Sequence, residues 1–216
     1  MTTLDPIRFD APLEDAAPLI EITSDWTKGL PVFRGRRMMV RELVKSDATT
    51  LLSMLTSEEV AKFISPPPTT PEGFEKFIQW AIRERQAGKQ MMFGIVPEGF
   101  DHAVGLVQIR AIAPRFSVAE WGFAIGSPFW GTGLFLAGAR TAVDFAFQYT
   151  DVYRLEARAA VQNVRGNGAL RKIGAVQEGV LRGSLLKDGQ YLDQMMWSIL
   201  ARDWPQADTR WEAAVN

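Results

Sequence analysis

The sequence predicts an α+β domain: a single mixed, mostly antiparallel sheet with a central β-α-β crossover and flanking helices. Three observations carry this. Strand-like runs at 91–96, 104–111 and 118–126 follow one another with only turn residues between, the pattern of an antiparallel meander. A long helical run after Gly133 then separates residues 118–126 from another strand at 153–161, and such a spacing is what a crossover between parallel strands requires. Finally, strands at 176–186 and 191–200 flank Lys187-Asp188-Gly189-Gln190, whose Asp-Gly pair signals a hairpin.

Residues 1–33 are rich in Pro, Asp and Ala and read as an N-terminal extension wrapping the domain, with a short helix near 13–20. Residues 36–43 form the first strand, and Ser46-Asp47 caps a helix running to Thr56. Pro66-Pro67-Pro68 excludes helix interior, because proline lacks the needed donor. Thr70 followed by Pro71 then starts a helix that reaches Ala87 and stops at Gly88, with Phe74, Phe77, Ile78, Ala81 and Ile82 facing the core. After the meander and the crossover helix comes the strand at 153–161, with Tyr153, Leu155, Ala157 and Ala159 on one face. A short helix at 164–173 ends at Gly174, and the hairpin closes the domain. The order is β-α-α-β-β-β-α-β-α-β-β, with the domain at 34–204 and a C-terminal tail at 205–216.

Composition removes several classes of function. The 216 residues carry 47% apolar and 23% charged side chains, enough for one well-buried core. A net charge of −1 argues against nucleic-acid or anionic-membrane partners. With no cysteine, thiolate chemistry and cysteine-bound metals are excluded. His102, in a turn-like stretch, is the one histidine, so neither a histidine triad nor a metal site is expected. No apolar run of membrane-spanning length and no leader pattern is visible, which makes the cytoplasm the expected location.

The chemistry concentrates in the crossover, where Glu120 to Leu134 reads Glu-Trp-Gly-Phe-Ala-Ile-Gly-Ser-Pro-Phe-Trp-Gly-Thr-Gly-Leu. A strand runs through a glycine-bearing loop into a helix, and unpaired N–H groups at a helix start suit a pyrophosphate. Along the strand, Val118, Glu120, Gly122 and Ala124 share one face, while Ala119, Trp121, Phe123 and Ile125 form a bulky, core-like one. Glycine in mid-strand marks a bulge or the close approach of a ligand. The dinucleotide fingerprint and the Walker loop are both absent, so neither NAD nor ATP is indicated.

From Glu120 to Trp204 the chain resembles the GNAT superfamily of N-acetyltransferases, and within it the branch of bacterial ribosomal-protein N-terminal acetyltransferases. Trp130-Gly131-Thr132-Gly133 resembles that branch's Trp-Gly-x-Gly loop, and Asn163, Leu170, Lys172 and Gly174 keep its Asn-x-x-Ser-x-x-x-Leu-x-Lys-x-Gly-Phe spacing. Asp188-Gly189-Gln190-Tyr191-Leu192-Asp193 and Arg202-Asp203-Trp204 resemble its hairpin and its end. Three positions depart: Pro128 stands where the loop has Gln or Arg, Gly166 replaces the serine, and Ala175 replaces the phenylalanine.

The resemblance implies a GNAT fold and transfer of an acetyl group from acetyl-CoA to a primary amine, with no metal. It implies pantetheine beside main-chain groups of Phe123, Ala124 and Ile125, and pyrophosphate on the amides of Trp130, Gly131, Thr132, Gly133 and Leu134. Asn163 and Asn167 would reach the pantetheine arm. Arg165, Arg171 and Lys172 would form a basic cluster for the ribose phosphate. Glu120 is the candidate base; otherwise it is a strand carboxylate paired with a cation such as Arg158. The strands on either side of the crossover helix would splay to admit the thioester. Acceptors left open are a protein N-terminus, a polyamine, an amino acid and an aminoglycoside. The alternative from another class is a non-catalytic acyl-CoA-binding module or sensor. Trp26, Phe33 and the apolar final hairpin leave surface for a homodimer.

Overall fold

The computed structural model describes residues 25–35, 37–205 and 212–214. Its strands are β1 (Val32–Arg34), β2 (Met38–Glu42), β3 (Gln90–Pro97), β4 (Gly105–Ala111), β5 (Val118–Ile125), β6 (Arg154–Ala160), β7 (Val176–Lys187), β8 (Gln190–Leu200) and β9 (Glu212–Ala214). The helices are α1 (Ala48–Leu55), α2 (Glu58–Ala61), α3 (Pro71–Gln86), α4 (Leu134–Tyr149) and α5 (Val164–Ile173). One sheet takes the order β7-β8-β6-β5-β4-β3-β2-β1-β9, and of its neighbouring pairs only β5 and β6 run parallel.

The meander, the single crossover and the final hairpin are those read from the sequence. Both hairpin-turn residues are left-handed, Asp188 at φ 49° and Gly189 at φ 78°, as a two-residue turn of this type needs. Two marginal strands escaped the sequence reading. β1 lies across the boundary at residue 33 and β9 lies inside the expected tail; they pair with each other, Phe33 opposite Ala213. Three residues are too few to show a period, so their state is set by the partner strand. The helix expected near 13–20 falls outside the described residues.

Alternation along β3 splits the core. Met91, Phe93 and Ile95 face α4 together with Val107, Ile109, Trp121 and Phe145, whereas Met92 and Val96 face α1 and α3 with Leu43, Leu51, Phe74 and Ile78. α4 sits so close to β3 that a Cβ on Gly138 would lie 2.7 Å from Ile95 Cδ1. Thr70 caps α3 as expected, its hydroxyl accepting from the Gly73 amide at 3.0 Å.

Asp47 does not cap α1 through its side chain. It closes a short 3-10 turn, and its fully buried carboxylate turns inward to accept two hydrogen bonds from Arg41 at 2.8 Å, one from the Val44 amide at 2.8 Å and one from the Ala103 amide at 2.9 Å. At the far end of the sheet, Lys187 donates from the hairpin to the carbonyls of Ala61 and Ile64 at 3.2 and 3.1 Å. The hairpin is thereby docked against the end of α2. Trp204 donates to Asp144 on α4 at 2.6 Å and fixes the chain after β8.

Candidate active site

The parallel pairing of β5 and β6 lasts for three register pairs, Val118 with Arg154, Ala119 with Leu155 and Glu120 with Glu156. Beyond them β5 runs on to Ile125 and β6 to Ala160 without meeting, so the sheet opens into a wedge. Which groups line it follows from strand alternation. Ile112 donates to the Val118 carbonyl and Gly126 to the Val104 carbonyl, both at 2.9 Å, so the even-numbered residues of β5 bond to β4. The main-chain groups of Trp121, Phe123 and Ile125 therefore turn into the wedge. On β6, bonds from Val161 to Asp193 and from Ala201 to Tyr153 commit odd-numbered residues to β8. Beyond the rungs where Arg154 and Glu156 pair with β5, Arg158 and Ala160 accordingly present their main chain to the opening.

Each open edge is ended by a side chain from its own crossover. The indole N–H of Trp130 donates to the Ile125 carbonyl at 3.1 Å, and Asn167 Nδ2 donates to the Ala160 carbonyl at 2.8 Å. Ala124 was expected to meet the cofactor through its main chain. By the same alternation its amide and carbonyl face β4, leaving only its methyl group to form a wall.

At the top of the wedge, Gly131 at φ 76° and Gly133 at φ 84° adopt left-handed conformations that turn the strand into α4. The Trp130 amide is already used, donating to the Ser127 carbonyl at 3.1 Å, and the Leu134 amide donates to Thr132 Oγ1 at 3.3 Å. Those two are corrections to the expected set. The first intrahelical bond runs from Ala137 to Gly133 at 3.1 Å. Among the described residues, the amides of Gly131, Thr132, Gly133, Phe135 and Leu136 are thus left without a protein acceptor, at a helix start with no acidic residue in its first turn. This donor set fits a diphosphate.

Glu120 sits at the closed end of the wedge with its side chain 30% exposed, and Oε2 accepts from Arg110, its register partner on β4, at 2.5 Å. The cation is Arg110, not the expected Arg158. Next on the same face is Gly122, where an added Cβ would meet nothing within 4 Å. Gln108 stands opposite Gly122 and donates to Gln90 Oε1 at 2.8 Å, leaving its own Oε1 turned away from that bond. Behind Glu156 lies a polar network. Arg154 donates to Glu156 at 2.7 Å and to Glu178 at 2.8 Å, and the Ser198 hydroxyl donates to Glu178 at 2.7 Å. The Arg154 bond, then that of Ser198, holds the Glu178 carboxyl down at about 2.

Asn163 caps α5, Oδ1 accepting from the Gly166 amide at 2.8 Å, and among the described residues Nδ2 has no partner. Gly166 is tied to that cap, since a Cβ there would lie 2.5 Å from Asn163 Nδ2. Gly166→Ser, which restores the residue of the resembled signature, should push the Asn163 amide off its cap. The expected loss is about 1 kcal/mol, or a thermal midpoint lower by ~2–4 °C; calorimetry checks it.

Asn167, expected at the cofactor, serves the fold instead. It is 5% exposed, its Nδ2 bonds the carbonyls of Ala160 and Asn163, and its Oδ1 accepts from the Trp197 indole at 2.9 Å. The expected basic cluster also divides. Arg171 lies over Trp197, whereas the Arg165 guanidinium stacks 4.3 Å from the Trp130 ring centre and brings a cation to the glycine loop. The signal for Arg165 was Pro128, which removes the loop's own donor and leaves a vacancy for one from elsewhere.

Residues 37–176 match the family described as "Acetyltransferase (GNAT) domain". An uncharacterized N-acetyltransferase of Bacillus licheniformis is 24% identical over 169 residues, 78% of this chain and 95% of that protein. Among solved structures, the ribosomal-protein-S5-alanine acetyltransferase of Vibrio fischeri is similar with a TM-score of 0.71 at 22% identity, covering 81% of this chain and 98% of that one. RimJ of Mycobacterium smegmatis, solved in complex with CoA-disulfide, has a TM-score of 0.70 at 20% identity, covering 83% and 90%.

Proposed function

Because the chain belongs to the GNAT acetyltransferase family, we propose that it transfers the acetyl group of acetyl-CoA to a primary amine by direct attack on the thioester. The observation that supports this best is the wedge between β5 and β6, which ends on five unsatisfied amides at the start of α4. Gly131, Thr132 and Gly133, with the first turn of α4, would hold the diphosphate. The main chain of Trp121, Phe123 and Ile125 would hold the pantetheine arm, with Ala124 as a wall and Asn163 Nδ2 as a donor.

Acetyl-CoA supplies an activated acyl group on a thiol of pKa about 8.5, which leaves without a dedicated acid. This chain's own contribution is placement and one proton transfer. Glu120, oriented by Arg110, takes the proton of the incoming amine directly or through a water. Open space over Gly122 is where that amine would sit.

Arg165 is the residue this chain would use in place of the donor lost at Pro128. Arg165→Ala should weaken CoA binding about tenfold, ~1.4 kcal/mol, without moving the melting point of the free protein. Titration calorimetry with CoA reads both halves of that statement when paired with a melt.

Gly166 in place of the signature serine favours a second reading, an acyl-CoA-binding module without turnover. Thiol release from acetyl-CoA across a panel of amines decides between them. Tight CoA binding with no release on any amine supports the module, and no binding at all sinks both.

A further inference from the structure

The face of the wedge that carries Glu120 holds three arginines and three glutamates, and two of the arginines hold all three carboxylates. Arg110 bonds Glu120, and Arg154 bonds Glu156 and Glu178. Arg158 is the remainder. It lies two residues beyond Glu156 on β6, so it shares that face, and among the described residues it makes no ion pair. Extending the register of Glu120 with Glu156 by two residues sets Arg158 across the opening from Gly122.

Its exposure is unusual for its place. β6 is an interior strand, bordered by β5 and β8, and every other residue in it is buried or half-buried. Only Arg158 is exposed. Its cross-strand neighbour Met196 offers no charge. An unpaired guanidinium thus stands at the rim of an open space whose other side carries Glu120 and Gln108.

We infer that the acceptor is an amino carboxylate, with its amine over Gly122 beside Glu120 and Gln108 and its carboxylate on Arg158. This rests on reading the wedge as the acetyl-transfer site. Net charge chooses between acceptor classes. The six ionised groups sum to zero, so a zwitterion meets a balanced site with complementary ends. A polyamine would bring two or more positive charges to a face whose carboxylates are already held and whose free group is a cation, an arrangement that repels it. A planar guanidinium also matches a carboxylate in two-point geometry.

The test pairs glycine, the common L-α-amino acids and linear ω-amino carboxylates of three to six carbons with their carboxamides, and adds spermidine. Thiol release from acetyl-CoA gives kcat/KM for each, and titration calorimetry of the same compounds into CoA-saturated protein gives affinity without turnover. The expected result is at least a tenfold preference for a carboxylate over its carboxamide. Arg158→Ala should abolish that preference and Arg158→Glu should reverse it, with CoA affinity unchanged in both. Arg158 is exposed and makes no ion pair among the described residues, so these variants should fold. A carboxylate-to-carboxamide ratio unmoved by Arg158→Ala, or a preference for spermidine, overturns the inference. Should no amine be acetylated, the acetyl-transfer reading falls, and calorimetry alone decides: heat with amino carboxylates that vanishes in Arg158→Ala sustains the site, and its absence overturns it.

Discussion

Asp47→Ala should lower the thermal midpoint by about 6–20 °C at pH 7, the equivalent of ~3–5 kcal/mol for breaking a buried ion pair. Asp47 is fully buried and its partner Arg41 is 12% exposed, so removing the carboxylate strands a guanidinium that water barely reaches. Two amides lose their acceptor as well, at Val44 and at Ala103, and with them the links between β2, the turn before α1 and the start of β4. Burial alone would raise the Asp47 carboxyl; hydrogen bonds from Arg41, Val44 and Ala103 outweigh it and hold the group below its ordinary value. A carboxyl lowered by folding stabilises above the unfolded pKa of about 3.9 and loses that effect as pH falls through the folded value. The gap between wild type and variant, followed by circular dichroism from pH 7 to pH 3, should therefore shrink in acid. A gap that stays constant over that range would mean that packing, and not the ionised pair, is what the substitution removes.

Glu120→Gln should reduce kcat/KM about 10²–10⁴-fold, the usual size of a lost general base, while CoA affinity changes less than about twofold. Glutamine keeps an oxygen to accept from Arg110, so the strand pairing of β4 with β5 survives and the loss is confined to proton transfer. Raising the pH should recover part of the lost rate, because more of the acceptor then arrives already deprotonated. Single-turnover acetylation, run beside CoA titration on the same samples, separates the two quantities. Turnover equal to wild type would reduce Glu120 to one half of a strand ion pair.

Much of this arrangement was legible in the chain because its determinants are local. Gly131 and Gly133 announce a turn into a helix, Thr70-Pro71 announces a helix start, and Asp188-Gly189 announces a hairpin. What was not legible depends on partners distant in sequence or on main-chain direction. Asp47 looks like a cap until Ala103, 56 residues away, is seen to donate to it. Asn167 looks like a ligand until Trp197 claims its oxygen. Glu120 could be matched to Arg110 only once the β4–β5 register was known, since Arg158 is an equally near cation by residue type. The loop amides were overcounted at Trp130 and Leu134 because sequence shows where N–H groups are, not which turn already uses them.

Holding two strands apart in the middle of a sheet creates a hazard that a fully zipped sheet does not have. An unmatched ladder of peptide groups is a template on which any extended segment of another molecule can add itself. The indole of Trp130 on Ile125 and the carboxamide of Asn167 on Ala160 cover that ladder at its outermost rungs. A foreign segment would have to dislodge both before it gained purchase. On the proposed reading of the wedge, the same two side chains would leave the gap open to a slender pantetheine arm while obstructing the addition of a foreign strand.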